Sequence, residues 1–121
     1  MTQKAAILVV DSNSSNLELL TQQLQGEGYT TRGAASMAEL DEVIKGEEVI
    51  ALALIDLSGF DHGIWERCDQ MRRAKIPFIV ISDQRSPAVT RESIKHGARG
   101  VLVKPIGVKE LAGHIRTLVD G

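Results

Sequence analysis

Five short apolar runs recur along the chain, and a segment of helical spacing follows each one. The runs are Ala6–Val10, Tyr29–Ala34, Val49–Ile55, Phe78–Ile81 and Gly100–Val103. They are too short and too continuously apolar for helices, and they read as strands buried on both faces. Helices are predicted near Ser15–Gln25, Met37–Lys45, Gly63–Ala74, Pro87–His96 and Val108–Val119. Leu17, Leu20 and Leu24 form a stripe on the first, whereas the fourth has only the sparse set Val89, Ile94 and Ala98. Strands alternating with helices of about ten residues imply right-handed crossovers and a doubly wound α/β fold, a parallel sheet with helices on both faces.

Capping chemistry marks the boundaries. Ser15-Asn16-Leu17-Glu18 and Ser36-Met37-Ala38-Glu39 both fit the capping box. Ser86-Pro87 places a proline where a first helical turn tolerates one, and Gly26, Gly46 and Gly97 fall where helices are expected to stop. The strand ends are polar. The first strand runs into Asp11, the third into Asp56, the fourth into Ser82 and the fifth into Lys104-Pro105. Open α/β sheets place their chemistry at the C-terminal ends of strands. Two carboxylates, a hydroxyl and an ammonium at one sheet edge suit metal-assisted phosphoryl chemistry.

Composition narrows the picture. The chain has 121 residues, the size of one domain, with 43% apolar and 25% charged residues. Its net charge of −2 argues against direct nucleic-acid binding, which needs a basic face. The single cysteine, Cys68, excludes an internal disulfide and fits a reducing compartment; it reads as a small core residue. No run approaches the roughly 20 apolar residues of a membrane span. Met1-Thr2-Gln3-Lys4 leads straight into a strand, which leaves no room for a signal peptide. A cytoplasmic domain is expected, either free-standing or taken from a longer protein.

These residues resemble the receiver domain of bacterial response regulators, a flavodoxin-like fold. The likeness runs from Ile7-Leu8-Val9-Val10-Asp11 through Leu54-Ile55-Asp56-Leu57 and Ile79-Val80-Ile81-Ser82 to Gly97-Ala98-Arg99-Gly100-Val101-Leu102-Val103-Lys104-Pro105. It implies a five-stranded parallel sheet in the order 2-1-3-4-5 with five helices. It also implies that Asp56 is the phosphoacceptor, taking a phosphoryl group from the phosphohistidine of a sensor kinase or phosphotransfer protein. Asp11, Asp56 and the main-chain carbonyl of Ser58 would hold Mg²⁺. Ser82 would hydrogen-bond the phosphoryl oxygens and Lys104 would pair with them, with Lys104-Pro105 cis. The output surface would be the fourth helix, fifth strand and fifth helix, and Gln84 would tune the lifetime of the phosphoryl group. Such a domain is a self-phosphorylating switch rather than a turnover enzyme.

The chain departs from the family pattern in four places. Ser12 stands where a second acid is usual, so the pocket of two carboxylates and one lysine sums to −1 rather than −2. Weaker Mg²⁺ binding follows, with the Ser12 hydroxyl or a retained water at that position. The loop Leu57-Ser58-Gly59-Phe60-Asp61-His62-Gly63 lacks the usual Met-Pro pair and is one residue short. Val101 replaces the switch aromatic, and Ser82 replaces the commoner threonine.

Each candidate also has a plainer reading. Asp11 and Asp56 could cap helices, Ser82 could make a turn, and Lys104 could be a solvated lysine. Asp61 and His62 read as loop residues, His96 and His114 as helix-surface residues, and Trp65 as packing for the third helix. Arg72-Arg73-Ala74-Lys75 reads as the basic end of that helix. Three function classes compete: a phosphorylatable receiver, a degenerate receiver that binds partners without phosphate, and a flavodoxin-like electron carrier. The last lacks a glycine-closed phosphate loop and clustered aromatics. Retention of Asp56, Ser82 and Lys104 together favours the first.

Overall fold

A computed structural model describes residues 5–120. The Met1–Lys4 lead-in and Gly121 lie outside the described residues. The elements alternate as β1 (Ala6–Val10), α1 (Ser14–Gly26), β2 (Thr30–Ala34), α2 (Met37–Lys45), β3 (Ile50–Asp56), α3 (Gly63–Arg73), β4 (Phe78–Ser82), α4 (Pro87–Lys95), β5 (Val101–Val103) and α5 (Val108–Asp120). All pairings are parallel, and the strand order is β2-β1-β3-β4-β5. The expected fold and order are therefore present.

Strand alternation divides the core into two layers. Ala6, Leu8, Val10, Ala53, Ile55, Phe78 and Val80 meet Leu40 and Val43 of α2 and Ile64, Cys68 and Met71 of α3. Ile7, Val9, Leu52, Leu54, Ile79 and Ile81 meet Leu24 of α1 and Leu111 and Ile115 of α5. Both faces of β1, β3 and β4 are covered, which is why their sequences are continuous apolar runs. Full burial of one such Leu or Ile is worth about 1.5–3 kcal/mol relative to exposure. Cys68 is a core residue as expected, and burial pushes its thiol up to about 12. Val49 lies outside β3 and is half exposed, so the buried strand starts one residue later than the apolar run.

Several boundaries differ from the sequence reading. Asn13, not Ser15, caps α1: its side chain accepts the Asn16 N–H at 3.0 Å. The cap fell earlier because α1 begins at Ser14, leaving Ser15 inside the first turn. In α2, Ser36 accepts the Glu39 N–H, but the Glu39 carboxylate bonds the N–H of Ala35 rather than that of the cap residue. Gly26 is the last residue of α1, where the helix is expected to stop. The left-handed residue is Gly28 at φ 95°, where Tyr29 N–H closes onto Leu24 C=O. Gly46 ends α2 in extended backbone. Gly97 ends α4 as expected, at φ 104°, and Ser86-Pro87 opens that helix. Ile94 points outward, and the buried residue of α4 is Ser93, whose hydroxyl donates to Val89 C=O at 2.7 Å.

His96 is another correction. It is not a surface residue: its ring is stacked on Trp65 with centroids 5.4 Å apart. Nδ1 lies 2.7 Å from Asp69 of α3 and Nε2 lies 3.1 Å from Glu92 of α4. Each ring nitrogen thus faces a carboxylate, one from α3 and one from α4. His114 is exposed, as expected.

Candidate functional site

The C-terminal edge of the sheet collects the polar residues that follow β1, β3, β4 and β5. Asp56 is the last residue of β3, the central strand, and only 5% of it is exposed. Alternation puts it on the same face as Leu52 and Leu54, so its carboxylate continues a wall of aliphatic side chains. Burial of a lone carboxylate is costly, and the charges and dipoles around it compensate. Lys104 Nζ lies 2.5 Å from Asp56 Oδ2, and the Ser58 N–H donates to Oδ1 at 3.0 Å.

Asp11 follows β1 and is equally buried. Its Oδ1 accepts the Asn13 N–H at 2.9 Å, a local turn rather than the helix cap. Burial pushes the Asp11 carboxyl above its ordinary range, and the nearby Asp56 charge adds to this. The Asn13 N–H and Lys104 pull the other way. Two acids are thus held close with too little positive charge between them. For Lys104, burial favours the neutral amine, but the carboxylates of Asp56 and Asp83 outweigh it and hold the ammonium above its ordinary value.

The β3–α3 loop is built around Gly59. Phe60 N–H bonds Leu57 C=O at 3.2 Å, and Gly59 supplies the left-handed position at φ 82°. This turn presents the Ser58 carbonyl toward the β1–α1 loop, where it accepts the Ser12 hydroxyl at 2.8 Å. Ser12 is exposed. It therefore engages the loop carbonyl that the sequence reading assigned to the metal. Asp61 stays out of the site: its carboxylate accepts the Gly63 N–H at 2.8 Å, a local turn that leads into α3.

Ser82 is buried at the end of β4, but its hydroxyl serves its own loop. It donates to Gln84 C=O at 3.0 Å and accepts the Gln84 N–H at 3.3 Å. The Gln84 side chain is exposed. Val101 pairs with Val80 and packs against the α2/α3 core layer. The Lys104-Pro105 bond is cis, as the resemblance implied.

One participant was missed. Asp83 follows Ser82, and its Oδ2 accepts the Ser58 hydroxyl at 2.7 Å while Oδ1 lies 3.2 Å from Lys104 Nζ. The Ser58 hydroxyl and then Lys104 hold its carboxyl below the ordinary range. An acidic residue in a polar loop carries no sequence signal of this placement.

Carboxylate and carbonyl oxygens are the donors that Mg²⁺ takes, and it commonly keeps several waters beside one or two carboxylates. Asp11, Asp56 and the Ser58 carbonyl fit that pattern. Among the described residues, no group of three or more His, Cys, Asp or Glu side chains could hold a metal. A cavity of about 340 Å³ leads from Asp11, Asp56 and Lys104 between α1 and α5 to Leu19, Ile106 and Leu111.

Comparison with known proteins agrees with this fold and identifies its family. The chain is 27% identical over 119 residues to the DNA-binding response regulator MtrA of Mycobacterium tuberculosis, covering 95% of this chain and 50% of that protein. It is 29% identical over 116 residues to the transcriptional regulatory protein YvrH of Bacillus subtilis, covering 94% and 48%. The chain thus spans about half the length of these curated relatives. Among solved structures, a CheY-like response regulator receiver domain protein from Methanospirillum hungatei superposes with a TM-score of 0.84 at 26% identity, covering 98% of this chain and 95% of that one. A Burkholderia pseudomallei response regulator, solved with a phosphorylated aspartic acid, a calcium ion and citrate, gives 0.79 at 26% identity, covering 97% and 69%. The family profile described as the response regulator receiver domain matches residues 7–116, and the chain belongs to that family of two-component signalling domains.

Proposed function

We propose that Asp56 is the residue through which this receiver works, accepting a phosphoryl group from the phosphohistidine of a sensor kinase or phosphotransfer protein. In that step an Asp56 oxygen forms a bond to phosphorus as the phosphorus–nitrogen bond to histidine breaks. The observation that carries the reading is the Asp56 carboxylate itself. It sits at the end of the central strand, nine-tenths or more removed from water, with Lys104 Nζ at 2.5 Å. A buried acid held beside an ammonium is poised for a reaction whose main demand is neutralisation of oxygen charge.

Receiver domains bind Mg²⁺ in an acidic pocket. Here Asp11, Asp56 and the Ser58 carbonyl would hold it, and when bound it would supply positive charge to the phosphoryl oxygens. Lys104 contributes three N–H donors on a mobile stem, and the Ser82 hydroxyl becomes available once it leaves Gln84 C=O. Ser12 anchors the carbonyl rather than adding a charged ligand, so Mg²⁺ affinity is lower than a three-acid pocket would give. Gln84 sets the lifetime of the acyl phosphate from the loop that Ser82 organises. Val101 fills the core where the family carries its switch aromatic, so it lends packing rather than ring rotation to the response.

The output face is α4, β5 and α5, and the chain serves as one receiver domain of a longer regulator. The relatives of which it spans half support that reading. The test is intact mass after incubation with acetyl phosphate and Mg²⁺. A single phosphoryl adduct on wild type, lost in Asp56→Asn and abolished by chelator, is expected. No adduct on folded wild-type protein would contradict the proposal.

A further inference from the structure

Asp56 at the end of β3 and one residue from each of three loops form a closed circuit of contacts. Asp56 Oδ2 meets Lys104 Nζ at 2.5 Å, and Lys104 Nζ meets Asp83 Oδ1 at 3.2 Å. Asp83 Oδ2 then takes the Ser58 hydroxyl at 2.7 Å, and the Ser58 N–H returns to Asp56 Oδ1 at 3.0 Å. Asp83 is the only one of the four that the phosphoacceptor reading leaves without a role. It is also the one free to leave, since 59% of its side chain is exposed.

Its carboxylate brings the pocket of Asp11, Asp56, Asp83 and Lys104 to −2, the sum that a second acid at position 12 would have given. Yet Asp83 does not join the metal-facing oxygens. Among the described residues no three such side chains converge on a metal position, and its partners are the Ser58 hydroxyl and the ammonium. Its charge therefore acts on Lys104. An ammonium has three donors. One is directed at Asp83 and one at Asp56, and a phosphoryl group arriving on Asp56 needs them redirected to its own oxygens. Asp83 is, in addition, an anion beside the path of an anionic group.

We propose that Asp83 is a positioning residue that restrains Lys104 in the unphosphorylated domain and slows phosphoryl acceptance. Opening the circuit, by swinging Asp83 into water, releases the ammonium toward the phosphoryl oxygens. The inference rests on Asp56 being the phosphoacceptor. Because the pair is exposed and screened, the restraint is modest, about two- to fivefold in rate.

The test is the rate constant for adduct formation from acetyl phosphate at saturating Mg²⁺, followed by intact mass. Wild type, Asp83→Asn, Asp83→Ala and Asp83→Glu would be compared at several donor concentrations. The neutral variants are expected to raise the maximal rate constant about two- to fivefold, with half-saturation little changed, and Asp83→Glu to return it toward wild type. A purely structural role would not separate Asn from Glu in this way. Wild-type adduct formation with neutral variants equally fast or slower would overturn the inference alone. No adduct on any of the four would overturn the phosphoacceptor reading and this one with it.

Discussion

Gly59→Ala probes how the β3–α3 loop is held against the β1–α1 loop. Gly59 sits at φ 82°, and a Cβ there would lie 2.2 Å from Ser12 Oγ and 3.1 Å from Ser12 Cβ. Alanine in left-handed backbone costs about 1–2 kcal/mol. The new methyl also displaces the Ser12 hydroxyl, breaking its bond to Ser58 C=O, a contact of about 0.5–1.5 kcal/mol. The single substitution should therefore destabilise by about 2–3 kcal/mol, a sizeable part of the roughly 5–15 kcal/mol of a typical domain. Ser12→Ala alone removes the same hydrogen bond and should cost about 1 kcal/mol or less. In Ser12→Ala/Gly59→Ala the bond is lost only once and the 2.2 Å clash is gone. The double variant should then fall short of additivity by about 1 kcal/mol. Equilibrium unfolding in urea of the four proteins measures this directly. Additivity to within about 0.3 kcal/mol, or a Gly59→Ala cost below about 0.5 kcal/mol, would refute the account of the loop.

Two further predictions concern α2, α3 and α4. Asp41 and Arg67 pair at 3.0 Å through both carboxylate oxygens, and Arg67 holds the Asp41 carboxyl below its ordinary value. This contribution is present above the unfolded-state value near 4 and is lost as pH falls through the lower folded value. Thermal midpoints between about pH 5 and 2.5 should therefore fall less steeply in Asp41→Asn than in wild type, the difference being about 1 kcal/mol or less. Identical slopes would remove the pair from the acid response. His96→Phe should retain the stack on Trp65 but remove the ring nitrogens that Asp69 and Glu92 face, at about 1–2 kcal/mol. The control His114→Phe should be near neutral, and equal effects at the two positions would contradict the α3–α4 link.

Much of the site was legible because of how a doubly covered sheet must be written. Strands buried on both faces read as unbroken apolar runs, so a charged residue that ends one stands out. Asp11, Asp56 and Lys104 were found that way, and the structure brings them together at one sheet edge. Ser82 was legible as a strand end, although its hydroxyl engages Gln84 rather than Asp56. What the sequence hid depends on partners far along the chain. Asp83 meets a serine 25 residues earlier and a lysine beyond β5, contacts that no local pattern encodes. Ser12 was legible as a missing acid, but not as the donor to Ser58 C=O. His96 read as exposed because its burial depends on Trp65 and Asp69 of α3. The α1 cap slipped from Ser15 to Asn13 because Asp11-Ser12-Asn13-Ser14-Ser15 offers several competent residues, and only the chain's exit from β1 selects among them.

The most direct test of the central claim is to locate the modified residue chemically. Wild-type protein treated with acetyl phosphate and Mg²⁺ would be reduced with borohydride, which converts an acyl phosphate of aspartate to homoserine, and then sequenced by tandem mass spectrometry. Homoserine at position 56 and at no other aspartate is the predicted result. Unchanged aspartate at 56, or homoserine at position 11, 61 or 83 instead, would contradict the assignment of Asp56.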